Sequence, residues 1–216
     1  MTQSTNYPAS PVHSDAKAVA PGSSQVAVSS MADPGAWAVT AFGTTSFMLG
    51  IYNAGLLHGS SAVVLPVAFF FGGLIQIIVG VLEIARGNIF GAVVFGTYGP
   101  FWVIYGALLT WKTYSADLTS GGLALFLSMF AVLTFYFLIG SLRTDAVLVA
   151  IFALIFAGLV LLAVGAGTNT GTVTKVGGWV TMVFAVLAWY HAAADVISAT
   201  FGRRMLPVFS LRPIPR

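Results

Sequence analysis

Cysteine is absent from the 216 residues, and charge nearly so. Without a thiol there is no disulfide framework, no thiolate metal site and no cysteine nucleophile. Charged residues make up 7% of the chain, against roughly 25% in a soluble domain, so the protein cannot cover its surface with polar groups. The long apolar runs contain no lysine, which excludes a Schiff-base chromophore, and only one of them holds a histidine, which argues against a paired-imidazole haem site. No zinc-protease helix motif, nucleophile elbow, phosphate loop or dinucleotide fingerprint occurs. The sequence therefore points away from an enzyme and implies no cofactor and no metal. The net charge of +3 comes without a basic patch interleaved with aromatics, so no nucleic-acid partner is expected.

What is abundant is apolar: hydrophobic residues are 58% of the chain and the mean hydropathy is +0.94. The expected fold is an all-α membrane protein with six transmembrane helices per protomer, embedded in lipid. Residues 1–32 are rich in Ser, Ala and Pro without hydrophobic period, and are expected to be a disordered tail. The membrane domain spans 33–202, and 203–216 form a basic tail. Asp33-Pro34 marks a helix start, with Asp33 as the cap. The six spans are expected at about 35–57, 63–84, 89–111, 122–142, 146–164 and 176–200, with Pro100 kinking or breaking the third. A Gly/Thr/Asn loop is expected over 165–175. Lys17, Arg86, Arg143, Arg203, Arg204, Arg212 and Arg216 fall on one side of that layout and Lys112 and Lys175 on the other. The bias places both termini in the cytoplasm of a multi-pass cell-membrane protein.

The run from Phe69 to Trp111 is unusual for a lipid anchor. Gly72, Gln76, Gly80 and Glu83 share one helix face, and the next run carries Asn88, Gly91, Gly96, Thr97, Tyr98 and Gly99. Glycines allow close helix approach, and polar groups in lipid need protein or water partners. Gln76 and Asn88 are thus either pore-lining groups or interhelical glue, and Thr97 is a pore-lining candidate. Glu83 is a candidate proton or substrate relay, or a helix-end carboxylate paired with Arg86. His191 and Asp195, four apart, are a candidate protonatable pair or a structural tie. Phe42 and Tyr98 either line a constriction or pack.

Several motifs together carry a resemblance. The run Gln76…Gly80-Val-Leu-Glu83…Gly87-Asn88-Ile-Phe90-Gly91…Phe95-Gly-Thr97-Tyr98-Gly99-Pro-Phe101-Trp102 resembles the signature of the acetate uptake transporter family, which includes the succinate–acetate permeases. Gly140-Ser-Leu-Arg143 and Gly178-Trp179…Phe201-Gly202-Arg203…Leu206-Pro207 fit as well. The resemblance implies six helices around a pore, a homo-hexamer, and transport of acetate and related small monocarboxylates, with succinate a further candidate. It implies a narrow hydrophobic constriction at Phe42, Tyr98 and Ile155, and substrate-size control at Ala188. Where the family's first motif reads Asn-Pro-Ala-Pro-Leu-Gly-Leu, this chain has Asp33-Pro34-Gly35-Ala36-Trp37-Ala38-Val39. Asp33 thus puts a negative charge at the expected pore mouth, which would repel acetate unless paired or protonated. Two other readings stay open: a pore for another small solute, and a membrane sensor that binds acetate without transporting it.

Overall fold

The computed structural model describes residues 31–59 and 61–211. The tail expected over 1–32 falls almost wholly outside the described residues, as do Lys17, Arg212 and Arg216. Among the described residues the chain is helical throughout, with no strand. In order come α1 (Gly35–Asn53), α2 (Val64–Ala85), α3 (Ile89–Thr110), the short α4 (Lys112–Ser115), α5 (Ser120–Ser141), α6 (Ala146–Gly167) and α7 (Gly171–Phe201). Five of these, α2, α3, α5, α6 and α7, are long and apolar enough to cross a membrane. The 19-residue α1 carries Thr40, Thr44, Thr45, Ser46 and Asn53 and falls outside that group.

The ends follow local chemistry. Asn88, Thr119 and Asp145 each accept a hydrogen bond on the side chain from a first-turn N–H, at 3.2, 3.0 and 2.9 Å, which caps α3, α5 and α6. Gly87 and Gly202, at φ +73° and +67°, take the left-handed turn that ends α2 and α7. Four sequence expectations are corrected. Pro34, not Asp33, is the α1 cap residue, and Asp33 binds the Gly35 N–H from one position earlier at 2.8 Å. α1 stops at Asn53 rather than near residue 57, because the chain turns at Gly55 with φ +74°. α3 runs unbroken through Pro100. The expected 165–175 loop shrinks to residues 168–170, because α6 and α7 extend into it from both sides.

Missing side chains set the packing. A Cβ on Gly80 would lie 2.8 Å from the Gly96 nitrogen, so α2 and α3 touch backbone to backbone there. Gly43 and Gly50 of α1 make room for the Trp189 and Met182 side chains of α7. Residues Val67–Leu74 form a wider π-helical turn of α2, which buries both Gly72 and Gly73. Gly72 abuts Thr45 and Trp102, and Gly73 abuts Val103. The outer faces carry exposed Phe70, Ile84, Leu125 and Val132, while an aromatic cluster of Phe42, Tyr98, Phe101, Trp102, Phe137 and Phe184 fills the centre.

Past Gly202 the chain doubles back. The Ala146 N–H donates to the Phe209 carbonyl at 3.0 Å, the Leu211 N–H to the Thr144 carbonyl at 2.9 Å, and the Tyr190 hydroxyl to the Pro207 carbonyl at 2.8 Å. A first-turn donor of α6 that has no intrahelical partner is thereby satisfied. Val208 is buried in the process, so residues 203–211 are part of the folded body.

Candidate functional site

A cavity of about 440 Å³ opens at the end of the bundle where α1 begins. Its wall includes Asp33, Glu83, Asn88, Asp145, His191, Asp195 and Arg204 near the mouth, with Gln76 and Ala188 among the other lining residues. At its base stand Phe42, Tyr98 and Ile155. A second cavity of about 40 Å³ begins beyond them, lined by Ser46, Phe101, Trp102, Tyr105, Thr181 and Phe184 among others. Phe42, Tyr98 and Ile155 are the three residues common to both cavities. Tyr105, Leu127 and Leu162 in turn border a third cavity of about 310 Å³, which reaches Asn53 and Asn169 at the opposite end. The three spaces form a line through the bundle, wide at both ends and narrow between.

The narrow part is aromatic. The Phe42 ring lies 5.3 Å from Tyr98 and 5.7 Å from Phe184, and Phe42, Tyr98 and Ile155 are all buried. The Tyr98 hydroxyl sits 2.7 Å from Thr134 Oγ1. Thr134 gives its one proton to the Phe130 carbonyl, also at 2.7 Å, so Tyr98 must be the donor in that pair. Its proton is already committed. Sequence could not reveal this, because Thr134 lies 36 residues away on another helix.

Two charge clusters flank the mouth. On one wall Arg86 Nη1 lies 2.9 Å from Asp33 Oδ1 and 3.1 Å from Glu83 Oε1. Partial desolvation pushes the Asp33 carboxyl up, but the hydrogen bonds from Arg86 and from the Gly35 N–H outweigh it, leaving it below its ordinary value. The Asp33 hydrogen bond, with the nearby carboxylate charges, raises the Arg86 guanidinium against its own desolvation. The charge that Asp33 brings to the mouth is thus paired. Glu83 does bind Arg86, while its Oε2 has no hydrogen-bond partner.

On the other wall His191 stands between two carboxylates. Its Nε2 is 3.1 Å from Asp145 Oδ2, and its Nδ1 is 3.3 Å from Asp195 Oδ2 without hydrogen-bond geometry. Desolvation pushes the Asp145 carboxyl up, but His191, the Leu148 N–H and the Arg204 charge bring it below its ordinary value. The sequence reading missed Asp145 here. Its signal was the cap position before the most apolar run. Arg204 is carried over the cavity by the turn at Gly202, and it has no ion pair among the described residues.

The remaining candidates divide. Gln76 and Asn88 line the large cavity, but each is also used within its own helix. Gln76 Nε2 donates to the Gly72 carbonyl at 2.6 Å and leaves Oε1 unpartnered. Ala188 is fully buried in the cavity wall. Thr97 is half-buried and is not among the lining residues. Among the described residues no His, Asp or Glu cluster could hold a metal ion.

Comparison with known proteins gives a consistent picture. The profile of the GPR1/FUN34/yaaH family matches residues 16–212. The succinate-acetate/proton symporter SatP of Escherichia coli K12 is 30% identical over 180 residues, covering 82% of this chain and 95% of that protein. Acetate permease A of Emericella nidulans is 29% identical, covering 82% of this chain and 65% of its own length. Ammonia transport outward protein 2 of Saccharomyces cerevisiae is 30% identical over 88% of this chain and 71% of that protein. A solved structure described as the bacterial acetate channel SatP superposes with a TM-score of 0.79 at 29% identity, covering 82% of this chain and 99% of that one.

Proposed function

The chain belongs to the GPR1/FUN34/yaaH family, and on that basis we propose that it carries acetate and related small monocarboxylates across the cell membrane. The observation that carries this reading is the line of three cavities. The wide ones at either end are joined through a narrow apolar waist, and Phe42, Tyr98 and Ile155 are common to the first and second. A waist of that kind selects by size, because a solute must shed water to enter it. Phe42, Tyr98 and Ile155 serve as the constriction, and Ala188 keeps room in the wall of the cavity before it.

The charged mouth collects the solute. Arg86 bridges Asp33 and Glu83, His191 lies between Asp145 and Asp195, and Arg204 adds a second guanidinium at the cavity. Glu83, His191 and Asp195 are the groups available to move a proton along with the solute. In the membrane α1 completes the set of six spans, shielded from lipid by α2 and α7, which is why it tolerates five hydroxyl residues. Arg86, Arg143, Arg203 and Arg204 mark one end of the bundle, and Lys112 and Lys175 mark the other. The richer end faces the cytoplasm with both termini, and six protomers assemble into a ring through the apolar outer faces.

The test is flux of radiolabelled acetate into liposomes that contain only this protein. Saturable uptake above protein-free liposomes is expected. Binding of acetate without flux would instead favour the sensor, and flux of ammonium without acetate would favour a pore for another small solute.

A further inference from the structure

The chain leaves α7 at Gly202 and returns along the start of α6, and the two sides of this strap differ. Arg204, Val208 and Ser210 line the mouth cavity, and Leu206 between them is half-buried. Arg203, Met205, Pro207, Phe209 and Leu211 alternate with these, are exposed, and take no part in the cavity wall. Phe209 is 67% exposed, while Val208 beside it is 4% exposed. Apart from Arg203 the outward side is apolar, and a contiguous exposed apolar patch marks a surface that meets something other than water. Phe209 also sits at φ +57°, a conformation uncommon for a bulky residue. An aromatic ring is kept where glycine would fit more easily.

The place of the strap says what its outward side meets. The Ala146 N–H donates to the Phe209 carbonyl and the Leu211 N–H to the Thr144 carbonyl, at the start of the span α6. The other end of the strap follows the last residue of the span α7. The strap therefore lies at the level where two spans end, the boundary between hydrocarbon and water. Leu142 and Phe201, exposed at the ends of α5 and α7, belong to the same level. Arg143 is exposed one residue before Thr144, so it falls beside the Leu211 end of the strap, and Arg203 stands at the other end. Among the described residues no carboxylate answers these two arginines. Asp33 and Glu83 pair with Arg86, Asp145 and Asp195 face His191, and Asp117 lies between α4 and α5 at the opposite end of the bundle. A second copy of the chain would bring the same carboxylates, equally engaged.

We propose that the outward side of residues 203–211, together with Arg143, is a docking surface for anionic lipid headgroups. Met205, Phe209 and Leu211 enter the boundary between headgroups and acyl chains, where aromatic and apolar side chains of surface segments are stabilised. Arg143 and Arg203 meet the lipid phosphates. The inner side of the same strap walls the mouth cavity, so the lipid holds that wall from outside. The inference requires the chain to sit in a membrane and is independent of the solute it carries.

The experiment uses the full-length protein. In detergent it is titrated with phosphatidylglycerol and, for reference, with phosphatidylcholine, and the melting temperature is read, since a ligand of the folded state raises it. Phosphatidylglycerol should act at lower concentration than phosphatidylcholine, and the difference should shrink in high salt. Arg143→Gln and Arg203→Gln should each raise the half-maximal phosphatidylglycerol concentration about fivefold, and the double variant about twenty-fivefold, the strength usual for basic residues at an anionic surface. Equal responses to the two lipids, or a double variant that titrates like wild type, would overturn the proposal. Because the chain has no cysteine, a nitroxide on Met205→Cys reports what covers the strap. The label is compared in liposomes of phosphatidylcholine alone and of phosphatidylcholine mixed with phosphatidylglycerol. With phosphatidylglycerol present, it should collide more often with oxygen and less often with a water-soluble nickel chelate. A label equally open to the chelate in both liposomes would overturn the proposal by placing the strap in water. A label shielded from both reagents would overturn it by placing a second copy of the chain there.

Discussion

Replacing Ile155 by alanine tests the waist most directly. The side chain is 4% exposed and borders both the large and the small cavity. Truncation removes three carbons. At about 0.8 kcal/mol per buried methylene the transfer loss is about 2 kcal/mol. That lies at the low end of the usual range for this change, because the space left behind merges with void already there rather than forming a closed hole. The protein should therefore remain folded at a lowered melting temperature. The two cavities then join on the α6 side, and a solute one group larger than acetate no longer meets the branched side chain. One methylene in an apolar pocket discriminates by roughly 10–200-fold. The lactate-to-acetate flux ratio should thus rise about tenfold in liposomes, with acetate still passing. Val160→Ala, on an exposed position of the same helix, controls for nonspecific loosening and should leave the ratio at the wild-type value. A ratio unchanged in folded Ile155→Ala would refute the placement of the waist.

Three further outcomes follow from the geometry. Asp33 and Asp145 both ionise below their ordinary value. Their stabilisation is therefore complete above the unfolded carboxylate pKa of about 3.9 and is lost as pH falls through the lower folded values. The melting temperature should fall below pH 4 in wild type and fall less steeply in the Asp33→Asn, Asp145→Asn double variant; equal acid slopes would remove these groups from the account. Asp145→Ala loses both the α6 cap and the His191 contact, whereas Asp145→Asn keeps the cap. The alanine variant should be less stable than the asparagine variant by about 1 kcal/mol in denaturant titration, and equal values would show that the cap contributes nothing. Because the chain has no cysteine of its own, single replacements read topology cleanly. Thr168→Cys should label with an impermeant maleimide in intact cells and Arg203→Cys only after permeabilisation, and the reverse pattern would invert the orientation.

How far the sequence could be read varies with the range of the interaction. The caps at Asn88 and Asp145 involve neighbours three residues on, and a short polar break before an apolar run announces a helix start. The shared face of Gly72, Gln76, Gly80 and Glu83 follows from helical spacing, and all four are buried. Phe42 and Tyr98 are legible as aromatics that line a constriction or pack, whereas Ile155 sits in a featureless apolar run and is assigned only through the family resemblance. Adjacent residues on a helix point about 100° apart, so the sequence does not say which of Thr97 and Tyr98 faces inward.

By itself the sequence determined the class of molecule. Long apolar runs with few charges must satisfy their backbone groups internally, which makes them helices in a membrane, and that consequence needs no knowledge of what packs where. Tertiary structure decided which polar groups share a space. Asp33 meets Arg86 across 53 residues, and His191 meets Asp145 across 46. Such pairs exist only once the glycine-lined faces bring the helices together. The same packing decides which hydroxyl finds a partner on another helix, as Tyr98 does at Thr134, because a hydrogen bond depends on a few tenths of an ångström between helices that the chain order leaves unspecified.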